Sequence, residues 1–205
     1  MDRFLWKPAS PDSIVPDEIA EILNSSEVVI LPTDTIYGLH AVASDSAAIA
    51  RIYRLKARDA GKALPVLFSS VEQLLDNGVR LSDHLRETLG AIWPAPLTAI
   101  LPIADPLPAT AGASTVAARI PDLIWLRTLI QKTGPLASTS ANLAGGKSAA
   151  SIQEVDPGLM AGVSAVVDSG PVISQPSTLV DFTKIPPRVV REGAFSFTQN
   201  LWKTL

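Results

Sequence analysis

Four polar islands interrupt the apolar sequence, and each carries side chains able to do chemistry. The first is PTDTIYG (32–38), where two threonine hydroxyls flank an aspartate directly after the run EVVIL. Thr, Asp and Gly are also ordinary turn residues. The second is KARDAGK, which sets Lys56, Arg58 and Lys62 within seven residues between a helix-like segment and an apolar one. Cations so placed suit phosphate or carboxylate oxygens, and a guanidinium grips them with two parallel bonds. The third pairs Thr115 with Arg119, which share one face of an extended segment. An arginine at a strand end is more commonly half of an ion pair. The fourth is STSAN (138–142): Ser138 and Ser140 alternate onto one face, and Asn142 extends the row. Small donors at the end of a buried strand suit the ribose, phosphate or carboxylate of a ligand.

STSAN runs into ANLAGGKS (141–148), one residue short of the phosphate-cradling pattern G-x-x-x-x-G-K-[S/T]. Ala141 stands at the first glycine, and alanine does not freely adopt positive φ. AVVD (165–168) imitates the acid-ended strand that accompanies such loops, although apolar strands ending in Asp are common. The segment reads first as a flexible turn leading to a short helix near Ile152.

The composition narrows the classes. A chain of 205 residues can bury a substantial core as one domain, 1–205, with its motifs in about 12–195. Hydrophobic residues at 47% and charged residues at 18% exclude a disordered chain. A net charge of −3 removes any global basic field for nucleic acid, though not a local basic pocket. The lack of cysteine excludes thiolate catalysis, disulfides and Cys-based metal sites. With only His40 and His84, far apart and outside any H-E-x-x-H pattern, no metal ligands are assigned. The N-terminus MDRFLWKPASPDS lacks a signal peptide's apolar run, and no stretch nears the ~18 apolar residues that span a bilayer. The expectation is a cytoplasmic protein with no membrane partner.

The elements that must position these islands alternate along the chain. Helical spacing is read at 16–26, 44–56 (with a Ser or Asp cap), 71–77, 82–92 and 122–133. Strand-like runs are EVVILP, the apolar run after Thr35, ALPVLF (63–68), TVAARIP (115–121), PLASTS, VSAVVD, STLVDF and PRVVRE, and the segment WPAPLTAILPI (93–103) follows the 82–92 helix. Pro65 makes its strand an edge or marks its start. Interleaved helices and strands predict a layered α/β or α+β fold around a twisted sheet.

Taken in order, PTDTIYGL, K-x-R followed by K-x-L-P, T-x-x-A-R-x-P, STSAN and R-E-G-A resemble the YrdC/TsaC family of threonylcarbamoyl-adenylate synthases. The matches run from about residue 28 to 194. The resemblance implies a twisted mixed parallel and antiparallel sheet, flanked by helices around a deep, positively charged cavity. It implies synthesis of threonylcarbamoyl-AMP and pyrophosphate from L-threonine, bicarbonate and ATP, with Mg²⁺ accompanying ATP and no organic cofactor. That product starts the threonylcarbamoyladenosine modification of tRNA, so later transfer proteins would be transient partners. By motif, Thr35, Tyr37, Arg119 and Thr178 would hold threonine or the carbamate. Lys56, Arg58, Ser140 and Asn142 would surround the reacting centre. Arg58, Lys62, Thr115, Ser138, Ser140, Ser148 and Arg191 would contact the nucleotide.

The sequence departs from the family at four positions. Asp59 and Ala63 replace prolines, His40 stands where Y-G-L-G has its second glycine, and Leu67 lies where some members carry a histidine near threonine. A YciO-type paralogue shares the fold but tends to lose K-x-R and the SAN of STSAN, which this chain keeps. A non-catalytic RNA-binding module of the same fold would show steep salt dependence without ATP turnover. A P-loop ATPase would hydrolyse ATP whether or not threonine is present.

Overall fold

The alternating elements assemble into one ten-stranded mixed sheet in the computed structural model, which describes residues 4–10, 12–143, 146–172, 175–198 and 202. The strands are β1 (Phe4–Trp6), β2 (Val29–Pro32), β3 (Tyr37–Val42), β4 (Val66–Leu67), β5 (Leu97–Pro102), β6 (Thr115–Arg119), β7 (Leu136–Ser140), β8 (Ala165–Val167), β9 (Thr178–Asp181) and β10 (Arg188–Arg191). Their order across the sheet is β1-β8-β2-β3-β7-β4-β6-β5-β9-β10. The pairs β1/β8, β2/β8, β4/β6 and β5/β9 are parallel, and the other five are antiparallel. The expected mixed sheet is therefore present.

The helices are α1 (Asp17–Asn24), α2 (Ser46–Lys56), α3 (Val71–Asp76), α4 (Asp83–Ile92), α5 (Ile124–Thr133) and α6 (Pro157–Ala161). The expected cap of α2 is Asp45, whose Oδ1 accepts from the amides of Ala47 and Ala48 at 2.9 and 3.1 Å. Three readings change. The strand candidate 63–68 contracts to β4, which lies mid-sheet between β7 and β6. Pro65 has no N–H to give a ladder, so it marks the start of that strand and not an edge. The helix near Ile152 is a single 3₁₀ turn, Ile152–Glu154. β1 and α6 have no counterpart in the sequence reading, being three and five residues long.

Strand parity sorts the core into two faces. On one face Tyr37, Leu39, Ala41, Val66, Ala99, Ala118 and Val180 pack under α2 and α4. On the other, Val29, Leu31, Leu67 and Leu136 pack under α1 and α5. That second face also carries Gly38, Ser138, Ser140, Ala117, Arg119, Thr98 and Leu179, which line an opening instead. Along β7 the same face passes from Leu136, fully buried, to the half-exposed Ser138 and Ser140. Among the described residues no helix is long and apolar enough to cross a membrane.

The edge after β10 closes one side of that opening through a very close backbone approach. The Gly193 Cα sits where an added Cβ would lie 2.3 Å from the Pro176 carbonyl oxygen and 2.6 Å from that of Ser177. Ala194 N–H donates to Pro176 O at 2.9 Å, Arg191 Nη2 to Ser177 O at 2.8 Å, and Thr178 Oγ1 to Phe195 O at 2.6 Å. The Gly of R-E-G-A is thus required by backbone proximity. Gly193→Ala is expected to cost about 1–3 kcal/mol through overpacking, read by urea denaturation. Stability equal to the parent chain would show that the edge yields without loss.

Candidate active site

The opening is a cavity of about 380 Å³ whose wall draws on every island read from the sequence. Thr33, Thr35, Ile36 and Gly38 come from the β2–β3 turn and the start of β3. Arg58, Ala63 and Pro65 come from the loop after α2, Arg119 from β6, Ser138, Thr139 and Ser140 from β7, Ser148 from the following loop, and Ser177 and Arg191 from the far edge. Three arginines and a set of hydroxyls line it, and no carboxylate is found among the described lining residues.

Arg119 closes the floor. Its Nη1 donates to Thr35 Oγ1 at 2.9 Å, and its Nη2 pairs with the Asp34 carboxylate. Both partners are nearly out of solvent, at 6% and 11% side-chain exposure. Arg119 Nε and Asp34 Oδ2 have no partner. Thr35 and Thr33 are held in turn: their hydroxyls lie 2.9 Å apart, and Thr33 Oγ1 donates to Ile36 O at 2.9 Å. Asp34 is a site residue the sequence reading passed over. It stands inside the quoted PTDT, but turn chemistry accounts for an Asp there, and its partner lies 85 residues away.

The three cations of KARDAGK have three different fates. α2 ends at Lys56, and Ala57 then takes a left-handed conformation (φ 48°), which turns the chain sharply. Lys56 faces inward at 4% exposure, and Arg58, two residues on, lines the cavity. Lys56 Nζ donates to Ser140 O, Asn142 O and Asn142 Oδ1 at 2.5, 2.8 and 3.2 Å. It lies behind the cavity wall and pins the end of β7. Burial, with the Arg58 charge adding to it, brings its pKa from 10.5 down to about 8. Arg58 donates Nη2 to Ala63 O at 3.1 Å and keeps Nε without a partner. Lys62 is exposed and does not line the cavity; its carbonyl accepts from Tyr53 Oη.

Of the residues singled out from sequence, Thr35, Arg58, Arg119, Ser138, Ser140, Ser148 and Arg191 line the cavity, whereas Lys56, Tyr37, Lys62, Thr115, Asn142 and Thr178 do not. Most of the second group hold the wall in place. Asn142 accepts the Ser140 hydroxyl at Oδ1 and donates to Gly146 O, tying the 146–148 loop to β7. Tyr37 points to the opposite face, its Oη donating to Gly170 O at 2.7 Å and accepting from Ser169 N at 3.1 Å. Thr178 is fully buried and anchors Phe195. Thr115 begins β6, on the Arg119 face but four residues out. Thr98, Ser177 and Leu179 are lining residues that no motif marked; strand parity on β5 and β9 places Thr98 and Leu179 on this face, and the Ser177 hydroxyl pairs with that of Thr98 at 2.7 Å.

The P-loop resemblance dissolves in three dimensions. Lys147 is exposed, and no helix begins at Ser148; Ala144 and Gly145 lie outside the described residues. Asp168, the imitation of an acid-ended strand, pairs with Lys7 at 3.3 Å and accepts from Gly170 N at 3.1 Å, away from the cavity.

Comparison with known proteins places this geometry. The sequence profile of the Sua5/YciO/YrdC family, described as "Telomere recombination", matches residues 21–193. The threonylcarbamoyl-AMP synthase of Pyrococcus abyssi is 33% identical over 85% of this chain and 52% of its own length. That of Bacillus subtilis is 35% identical over 89% of this chain and 54% of its own. The chain thus spans about half the length of these curated relatives. The crystal structure of P. abyssi Sua5 complexed with L-threonine superposes with a TM-score of 0.84 at 30% identity, over 94% of this chain and 58% of that one. Escherichia coli YciO superposes at 0.82 with 24% identity over 97% and 98%, a likeness of fold alone. The chain belongs to the Sua5/YciO/YrdC family.

Proposed function

We propose that this chain makes threonylcarbamoyl-AMP and pyrophosphate from L-threonine, bicarbonate and ATP. The observation that carries this reading is a cavity with three arginines, a row of hydroxyls and no lining carboxylate among the described residues, built from the islands shared with the family. Such a wall suits two anionic substrates, and the reaction needs no covalent nucleophile. The threonine amine adds to the carbon of CO₂, formed from bicarbonate with loss of water, and the N–C bond gives a carbamate. A carbamate oxygen then attacks the α-phosphorus of ATP while the α–β bridging P–O bond breaks and pyrophosphate leaves. Negative charge grows on the phosphoryl and leaving-group oxygens. Arg58 and Arg191, with the hydroxyls of Ser138 and Ser148, are placed to receive it, and the Ser140 hydroxyl joins them by turning from Asn142 Oδ1. Arg119 and Thr35 form the threonine end.

Among the described residues no three His, Asp or Glu side chains gather to hold a metal, and the cavity lining has none. Mg²⁺ would accompany ATP and neutralise part of its phosphate charge, and no protein ligands are assigned to it. The reaction would take place in the cytoplasm, with later transfer proteins as transient partners. The YciO-type reading is disfavoured by Lys56 and Asn142, which together fix the end of β7, and by Arg58, which lines the cavity.

The test is pyrophosphate release with threonine or bicarbonate omitted in turn. Release that needs both, with threonylcarbamoyl-AMP identified by mass, is expected. ATP breakdown indifferent to threonine would overturn the reading. Ser140→Ala should lower turnover by roughly 10²–10³ through loss of a donor at the reacting centre. Lys147→Ala should leave it near the parent value, and its loss with an intact fold would revive the P-loop.

Lys56 adds a pH signature. Folded Lys56 loses its proton as pH rises through about 8, while the unfolded chain keeps it to about 10.5. The unfolded state binds more protons in that window, so this group's contribution to stability rises with pH there. The three-oxygen grip on Ser140 and Asn142 fails over the same range. Activity should fall near pH 8 while resistance to urea does not, and Lys56→Met should be nearly inactive at every pH. Activity flat to pH 10 would remove Lys56 from control of the site.

A further inference from the structure

The fully buried His40 is used by nothing described so far. It lies on β3 on the cavity face, directly opposite Ser138 of β7 and Val29 of β2. Neither ring nitrogen has a partner within full hydrogen-bonding geometry, although the Leu31 backbone lies close enough to favour the protonated ring. Its ring leans along the strand toward the cavity: a Cβ on Gly38, which lines the cavity, would fall 2.8 Å from His40 Nε2. The glycine of PTDTIYG thus leaves the space that the imidazole fills. Burial first, then the nearby Arg119 charge, hold the ring down at about 4 against the opposing influence of the Leu31 backbone. It is therefore neutral at physiological pH and carries one N–H.

A buried donor without an acceptor is costly, because it has given up its hydrogen bonds to water. A second one sits on the same sheet face, Arg119 Nε. The guanidinium has already committed Nη1 to Thr35 and Nη2 to Asp34. The remaining unpartnered acceptor nearby, Asp34 Oδ2, belongs to the carboxylate already paired with Arg119. Arg119 lines the cavity and His40 lies just behind Gly38, so both unsatisfied N–H groups can be met by one anionic oxygen, such as that of a carboxylate.

We propose that His40 is a substrate-binding residue: its imidazole N–H, turned from above Gly38 into the cavity, joins Arg119 Nε in holding the carboxylate of the amino-acid substrate. This rests on the amino-acid activation proposed above. The neutral ring adds a directional donor without another fixed positive charge. Gly38 allows the turn, because no side chain stands between the ring and the cavity.

His40→Leu keeps the bulk and removes both nitrogens. In calorimetry it should weaken L-threonine binding about 10–100-fold. ATP binding should stay within about twofold, because the effect is confined to one substrate. Urea resistance should hold or rise, since an unsatisfied polar group leaves the core. The parent chain should prefer L-threonine to L-threoninamide, and the variant should lose that preference. Should the variant not fold, the parent chain still decides: with only two histidines, ¹⁵N spectra compared with His84→Gln isolate the His40 ring. L-threonine alone should shift it and ATP alone should not. An unshifted His40 ring under threonine shown by calorimetry to be bound, or a Leu variant with parental threonine affinity, overturns the proposal while leaving the function standing. A parent chain that binds no L-threonine overturns the functional reading and this inference with it.

Discussion

The site depends on one buried ion pair. Arg119 at the end of β6 reaches across the cavity floor to Asp34 and Thr35 in the turn between β2 and β3. Nothing else among the described hydrogen bonds joins β6 to that turn. A pair this buried contributes little net stability, because desolvation of both charges offsets their attraction, yet removing one partner strands the other. Its value is geometric. A guanidinium held by two of its nitrogens has one orientation, and the turn it holds brings two threonine hydroxyls to the cavity. The resemblance assigns Arg119 to the substrate carboxylate; the structure adds that Asp34 already takes half of its fork. Nε is the one nitrogen of the guanidinium left without a partner.

Lys56 performs the corresponding task for the opposite wall. Its ammonium satisfies the carbonyls of Ser140 and Asn142 where β7 stops pairing, and Asn142 carries the restraint on to Gly146. Two cations two residues apart thus divide their work, because helix α2 ends between them and Ala57 reverses the chain. Lys56 fixes hydroxyl positions from behind the wall, and Arg58 presents charge to the cavity. A motif K-x-R does not distinguish these roles. The helix C-terminus does.

What the sequence revealed and what it hid follow from the range of each interaction. Helices α1, α2, α4 and α5 were legible because periodicity and caps are local, as in the Asp45 cap. The serines of STSAN and Arg119 were legible because strand parity is local as well. β4 was misjudged in length and Pro65 left two placements open, since only pairing with β6 and β7 decides how much of ALPVLF is strand. Tyr37, Asn142 and Thr178 sit within functional motifs, yet their side chains brace the wall. A motif records which residues matter together, without saying which of them touches the ligand. Asp34 and Ser177 could be placed only by contacts 79 or more residues away in sequence.

The cavity exists because one face of the sheet is only half covered. α1 and α5 bury the β2–β3–β8 half under apolar side chains, and no helix among the described residues packs over the β5–β6–β9 half of that face. An uncovered sheet face is ordinarily a liability that apolar residues would worsen. Here the strands change character as they leave the covered half: Leu136 gives way to Ser138 and Ser140, and Leu67 stands beside Arg119. Water or ligand can satisfy these groups, so the exposed half stays polar while its strands remain in register with a hydrophobic core on the other face. Hydroxyls on short side chains keep the floor low, and arginines at its margin reach over it. The same two-sided strands thus encode stability on one parity and a ligand site on the other. His40 is the point where this division is crossed, a polar ring on the apolar side of the boundary that leans toward the open one.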